Sequence, residues 1–565
     1  MEKILIVNLK RLGDIFQTAH LVNSIKRDNP SKKVHLLCYE ESVKAAKIIN
    51  GLDEVHTINR KKVVSYFRNS IYSDGLAFNE LNEALNKVVA QGFDKVLNYS
   101  NDRVSTYLTS YISNTLKCDA LGVRFTPKQT VEYSNDFALV LNDIVTQTSF
   151  TPYSFNDCAH KIAGVEIKNE RSTIIKSNKI HDKTAINNLD RLRSLKSQDA
   201  NRVSIIGIQV SSASIVKEIP EDTLIETIRL INSSETMIPI LLTAPTEEEK
   251  KKASRINKEF ENKLVSVEAD FIALPSVLKN IDLLLTPDTS IKHLADLLDT
   301  PVLEVSLGHA PMFKQGTINL RSAILSEAGH TRIFKENGEA QESVLRRNSS
   351  LSPNLIFNTI NTLLGNPEEI LNIPNQNTYC IYRPIQTTDG ILLMPEAGPT
   401  SSSFECKRIV SRLVTQKIMT GTIDEDLITT AYSYITKKEF QNTIESEKMA
   451  LSEVTKDLLS TLRGLIQTQE NKSKAPAFIE ALERLLARCF DNNIAAIPTL
   501  IFRAKVDSLA SSSLEDNFKE VETHLYQLKD SLQSCLYVFK RIEDIGYGIG
   551  RTKTESSPMT KEKTL

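Results

Sequence analysis

The sequence predicts an α/β protein: two doubly wound, Rossmann-like domains followed by a mostly helical region. Three observations lead there. Short apolar runs alternate with amphipathic stretches over residues 1–175. The alternation resumes over residues 200–350. Beyond the Pro/Gly/Ser-rich stretch Pro395–Ser403 it gives way to near-continuous helical periodicity. Strands alternating with helices imply parallel sheets covered on both faces.

In the first domain Ile4–Val7 reads as a buried strand and Asp14–Lys26 as the helix after it. Val34–Cys38, Val55–Ile58 and Lys95–Asn98 are further strands, with helical patterns at Ser42–Ile49 and Phe78–Val89. The polar stretch Lys176–Ala200 reads as the join. In the second domain the strands are Val203–Gln209, Ile238–Thr243, Ile281–Leu285 and Val302–Val305. Helices are expected at Glu221–Asn232, Glu247–Phe260, Ser276–Asn280 and Ile291–Leu298. Residues 351–375 form a linker with a helix at Pro353–Leu364, stopped by Gly365-Asn366-Pro367. Within 376–550, two short strands flank Thr388-Asp389-Gly390. From 404 to 545 leucines recur at i, i+3, i+4, i+7, as in Leu451, Leu458, Leu462 and Leu465. Residues 551–565 are polar and expected to be disordered.

Composition excludes several classes. With 565 residues, 41% hydrophobic and 25% charged, the chain is globular. Lys+Arg 69 against Asp+Glu 70 gives net charge -1, which argues against a nucleic-acid binder. Seven cysteines without a CxxC pair argue against a disulfide scaffold or a cysteine zinc site and fit a reducing cytoplasm. No run approaches the ~18 apolar residues of a membrane span. A lipid substrate would be met peripherally, at the inner membrane surface.

Ligands of doubly wound sheets lie beyond the carboxyl ends of the strands, so four loops matter. In Asn8–Asp14, Gly13 permits a tight strand-to-helix turn and Asp14 stands at the helix start, as N-cap or as a reactive carboxylate. No G-x-G-x-x-G follows the strand, which counts against a dinucleotide site. Asp288, Thr289 and Ser290 open the helix carrying His293; they either cap it or present its free N–H groups to phosphate. Ser211–Pro220 is a small-residue loop with Lys217, a solvated lysine or a point charge for a diphosphate. Thr243–Glu249 brings acids, Glu247 first, to a helix start that favours them electrostatically. Arg60, Lys61, Lys62 and Arg68 form a basic cluster, either solvated or facing acceptor acids. Asp424-Glu425-Asp426 reads as acids at a helix start, with no metal.

Taken in order, these segments resemble glycosyltransferase family 9, the lipopolysaccharide heptosyltransferases, over about residues 1–345. KILIVNLKRLGDIFQTAHLVNSIKRDNPSKKVHLLCYE resembles its N-terminal strand, L-G-D turn and helix. FDKVLNYSNDRVSTYLTSYISNTLKCDALGVRF resembles the segment that follows. DLLLTPDTSIKHLADLLDTPVLEVSLG resembles its D-T/S-G-x-x-H-L-A-x-x-L-x-x-P signature. Ser290 stands where the family has glycine, and Ile219 where its K-x-W-P segment has tryptophan. The H-P-G loop reads Gln209-Val210-Ser211, and the F-G-x-T segment reads Ser306 to Ala310.

The resemblance implies a GT-B fold, with two lobes facing a cleft, the first for the acceptor and the second for a nucleotide-diphosphate sugar, typically ADP-heptose. It implies Asp14 as general base and Lys217 on donor phosphate. Glu247 would stand near the ribose, and Asp288, Thr289, Ser290 and His293 at the donor. Lys10, Arg11 and Arg60 are the acceptor-side candidates. No cofactor or metal is expected, since the nucleotide sugar is itself a substrate. The acceptor is a lipopolysaccharide core, another glycan, a glycolipid or a protein. The helices of 404–545 offer surfaces for self-association or partner docking. Two functions compete: an active inverting transferase, and a degenerate relative that binds or scaffolds through its helical region.

Overall fold

The computed structural model describes residues 1–141, 151–167, 174–176, 178–197, 203–307, 312–327, 351–365, 378–398, 402–509, 511 and 513–555, with side chains only to 548 in the last segment. The first lobe holds a five-stranded parallel sheet: β1 (Lys3–Val7), β2 (Lys33–Tyr39), β3 (Glu54–Ile58), β4 (Lys95–Asn98) and β5 (Asp119–Leu121). Its order is β3-β2-β1-β4-β5, so direction along the sheet reverses between β1 and β4. A small antiparallel pair, β6 (Val123–Phe125) and β7 (Val131–Tyr133), follows.

The second sheet has eight strands. β8 (Ser204–Gln209), β9 (Met237–Thr243), β10 (Val265–Glu268), β11 (Leu283–Pro287), β12 (Val302–Ser306) and β13 (Ala323–Glu327) are parallel. A hairpin of β14 (Tyr379–Thr387) and β15 (Gly390–Ala397) adds antiparallel to β13. The order β10-β9-β8-β11-β12-β13-β14-β15 reverses between β8 and β11. The central strands read as unbroken Val/Ile/Leu runs because both faces are covered. Two facing doubly wound lobes plus a helical C-terminal region form the GT-B arrangement expected above.

Several elements differ from the sequence reading. The stretch read as a polar join folds as an 18-residue helix, Lys179–Lys196, with Ala185 and Leu189 buried. The helix Pro353–Leu364 contributes Leu355, Ile356 and Ile360 to the second lobe's core rather than standing as a linker. The hairpin read as part of the C-terminal region completes the second sheet. The last helix, Leu514–Glu555, runs five residues into the stretch expected to be disordered, and 556–565 lie outside the described residues. So do Asn366-Pro367 of the helix stop and residues 399–401 of the Pro395–Ser403 loop.

The lobes meet along two helices, Leu12–Asp28 of the first and Ser290–Leu297 of the second. One apolar cluster includes Phe16, Ile25, Leu294 and Leu297 and continues to Ile497 and Leu500 of the C-terminal region. Phe16 also packs edge-on against Phe271, at 5.4 Å between ring centroids. Close lobe contact needs a small residue. A Cβ on Gly13 would stand 2.9 Å from His293 Cδ2, closer than real side chains approach. Gly13 therefore serves this approach; it lies in the first turn of an ordinary helix, not in a glycine-only turn.

Candidate active site

A cleft of about 1070 Å³ lies between the lobes, at the carboxyl ends of both sheets. The loops after β1, β8 and β11 line it, flanking the points where each sheet reverses. Lys10, Arg11, Asp14 and Arg60 come from the first lobe; Lys217, Asp288, Thr289, Ser290 and His293 from the second.

Asp14 is the third helical residue, not the N-cap. Its Oδ2 accepts from the Arg11 amide at 3.1 Å, the reciprocal half of a capping box. Burial pushes its carboxyl above the usual aspartate value of 3.8, against the pull of the Arg11 amide, Lys10 and Lys314. A carboxylate so placed accepts a proton more readily than one in water. Lys314 is itself lowered by burial and by Lys10, and sits over the Phe155 ring at 4.9 Å. Nothing in the local sequence marks it.

Across the cleft lies a buried ion network. Lys217, in a short 3-10 turn rather than a solvated loop, donates to Asp288 Oδ2 at 2.6 Å. Lys292 donates to Asp288 Oδ1 at 2.7 Å and to Glu304 Oε1 at 2.9 Å. The Thr317 amide closes the chain on Glu304 Oε2 at 2.9 Å. Burial alone would raise Asp288, but Lys292 and Lys217 together hold it well below the usual carboxylate range. Burial disfavours the charge on Lys292, yet Asp288 and Glu304 outweigh it and keep the ammonium. Asp288 is thus committed to orienting lysines and caps nothing.

The cap of the Ser290–Leu297 helix is Thr289, whose side chain makes no capping hydrogen bond. The first N–H groups of that helix are left toward the cleft, where a phosphate would satisfy them. On the same wall Gln209 Oε1 and Ser211 Oγ are buried with no protein partner. Such orphaned atoms are costly unless a ligand or water meets them.

His293 is kept neutral, its pKa well below 6.5, by burial and the adjacent Lys292. Gln17 Nε2 lies 3.1 Å from His293 Nε2, bridging the lobes. Gln17 stands one helical turn after Asp14, the spacing that could have flagged it. Glu247 turns outward, 3.7 Å from Lys250, while Glu248 and Glu249 line the cleft. Glu249 Oε2 accepts from the Ala244 amide at 2.8 Å and fixes the loop.

On the first-lobe wall, Arg60 stacks on Tyr39 at 4.8 Å and pairs with Glu41 at 2.7 Å. Lys10 lies 3.5 Å from Asp102. Lys62 pairs with Glu80 at 2.5 Å; neither it, Lys61 nor Arg68 lines the cleft. Gly308, His309 and Ala310 lie outside the described residues. Asp424 is the N-cap of Glu425–Ala431, accepting from Leu427 N at 2.9 Å, and also accepts from Thr388 Oγ1 at 2.7 Å. Glu425 pairs with Arg541 at 2.6 Å.

Residues 174–342 match the model of glycosyltransferase family 9 (heptosyltransferase). That segment spans the second lobe through β13. No curated protein matches the sequence. Among solved structures, the family 9 glycosyl transferase from Veillonella parvula is similar at 16% identity and TM-score 0.47, covering 64% of this chain and 97% of that one. The E. coli heptosyltransferase WaaC with ADP is similar at 14% identity and TM-score 0.43, over 64% of this chain and 99% of its own. The E. coli ADP-heptose lps heptosyltransferase II is similar at 10% identity and TM-score 0.43, over 65% and 99%. No helix among the described residues is long and apolar enough to cross a membrane.

Proposed function

We propose that this chain, whose second lobe matches the glycosyltransferase family 9 model, moves a sugar from a nucleotide-diphosphate donor to an acceptor hydroxyl with inversion. The observation that carries the reading is one cleft holding Asp14 on one wall and Lys217 with an open helix start on the other. ADP-heptose is the first donor to consider and a lipopolysaccharide core the first acceptor, approached peripherally from the membrane surface.

In this reading the acceptor oxygen attacks the anomeric carbon while its proton passes to the Asp14 carboxylate. The bond from that carbon to the diphosphate breaks, and its electron pair leaves with the diphosphate. Lys217 and the N–H groups at Ser290 meet that developing charge. Asp288 holds Lys217 in position. Glu248 and Glu249, rather than Glu247, are the acids within reach of the donor's nucleoside. Lys10, Arg11 and Arg60 hold acidic groups of the acceptor. Neutral His293, bridged to Gln17, keeps the two walls in register, as in-line displacement requires.

One observation favours the second reading, a degenerate scaffold. The charge of Lys217 is already answered by Asp288. The test is incubation with ADP-, UDP- and GDP-sugars, with and without acceptors, and measurement of released nucleotide. Acceptor-dependent release from one donor supports the transferase. Nucleotide binding without turnover supports the scaffold, and absence of both overturns the placement of a donor in this cleft.

A further inference from the structure

We propose that the chain binds one divalent transition metal ion, zinc by preference, through His35, Glu54 and His56, at the end of the first sheet opposite the cleft. The three come from adjacent parallel strands. His35 on β2 pairs in register with Glu54 on β3, and Leu37 with His56, so all three side chains share one face of the sheet. Their donor atoms converge. His35 Nδ1 is 3.0 Å from His56 Nε2, and Glu54 Oε2 is 3.6 Å from His35 Nδ1. One ligand atom from each residue lies within 4.8 Å of the others, and no second such group occurs among the described residues.

Ligands about 2.0–2.1 Å from zinc stand roughly 3.3 Å apart in a tetrahedron. The two measured separations bracket that value. Two imidazoles and a carboxylate, with a fourth place open to water beside half-exposed Glu54, suit zinc.

The surroundings are those of a prepared site. Both imidazoles are buried and stacked, 5.3 Å between centroids, and Phe93 closes them edge-on at 5.3 and 6.2 Å. The neighbouring Asp53 is already taken by Lys26 and Lys33. A hydrogen bond between neutral imidazoles accounts for two of these groups and leaves the convergent carboxylate unused. Because β3 is the edge strand, the ion would clamp the sheet's free side.

The test uses chelator-treated full-length protein. Zinc is titrated by calorimetry and cobalt(II) by visible absorption. One equivalent should bind, cobalt should give the intense visible bands of a tetrahedral site, and zinc should raise the melting temperature. Glu54→Gln changes an exposed residue and should fold normally. Removing even an outer-shell partner costs roughly 10–100-fold in affinity, so Glu54→Gln should bind at least tenfold more weakly and lose most of the thermal shift. His56→Gln should do the same. No saturable binding, a weak octahedral cobalt spectrum, or wild-type affinity in Glu54→Gln would each overturn the site. None of these readouts depends on transferase activity.

Discussion

At Asp14 the observed hold on the helix start and the proposed role as base fall on one carboxylate and can be separated by substitution. Asn at this position keeps an oxygen to accept from the Arg11 amide, so the helix start survives. It cannot take a proton. Asp14→Asn should therefore melt close to wild type, bind donor almost unchanged and lose about 10²–10⁴ in turnover, the usual range for a general base. Near-normal turnover in the folded variant would remove Asp14 from the mechanism. The pH profile carries the same test. Burial raises the Asp14 carboxyl above 3.8, so the protonated, inactive form persists further up the acid range. Turnover should climb with pH through that raised value, and the limb should be absent from the residual activity of Asp14→Asn. Lys217→Ala acts on the other wall. Hydrogen bonds to charged groups contribute about 1.5–3 kcal/mol, so donor affinity should fall roughly 10–100-fold, read directly by calorimetry with the nucleotide sugar.

Between elements, the Ser290–Leu297 helix also carries Lys292, which does not line the cleft. Lys292 is fully buried between Asp288 and Glu304. Lys292→Met would leave two carboxylates without their shared cation, and breaking a buried pair costs about 3–5 kcal/mol. Urea unfolding should show that loss, and donor affinity should fall too, because Asp288 without Lys292 no longer holds Lys217 in the same place. An unchanged urea midpoint would mean that the network contributes little. This network also marks where sequence reading stops. The strands were legible because β1, β8 and β11 are unbroken apolar runs, and the loops because they end such runs. The cleft walls at Asp14, Lys217 and Asp288–His293 could be placed on that basis. Lys292 could not, since beside His293 it reads as one more helix lysine and only the fold brings Glu304 to it. The Lys179–Lys196 helix was hidden for a related reason. It buries only Ala185 and Leu189, so its apolar stripe is thin among charges. The hairpin's place in the second sheet rests on pairing between β13 and a segment some fifty residues later, a long-range choice that local pattern does not encode.

At the scale of the whole molecule, the helical region is tied to both lobes and is not merely appended. Arg412, buried on the helix Ser402–Thr420, donates to Pro152 O at 3.1 Å in the first lobe and to Asp389 O at 2.9 Å in the hairpin turn, and it stacks on Tyr153 at 4.7 Å. Asp389 in turn bonds Tyr153 and Lys161. Beneath them Asp157 is pushed up to about 6 by burial, with Arg412 opposing. The apolar contacts repeat the pattern. Leu392 and Met394 of the hairpin belong to the core of the helical region, while Ile497, Leu500 and Ile501 of that region belong to the core that the two lobes share. A chain ending at residue 398 would expose Leu392 and Met394 together with the apolar surface that Ile497, Leu500 and Ile501 cover, and would leave Asp157 and Asp389 without Arg412. We expect it to aggregate, or to melt well below the full chain and release donor as it does so. The full chain should unfold in one transition, seen alike by circular dichroism and by nucleotide binding in the cleft. A soluble, monomeric truncated chain with an unchanged melting temperature would show that the helices are a self-standing unit, and residues 402–548 expressed alone should then fold cooperatively.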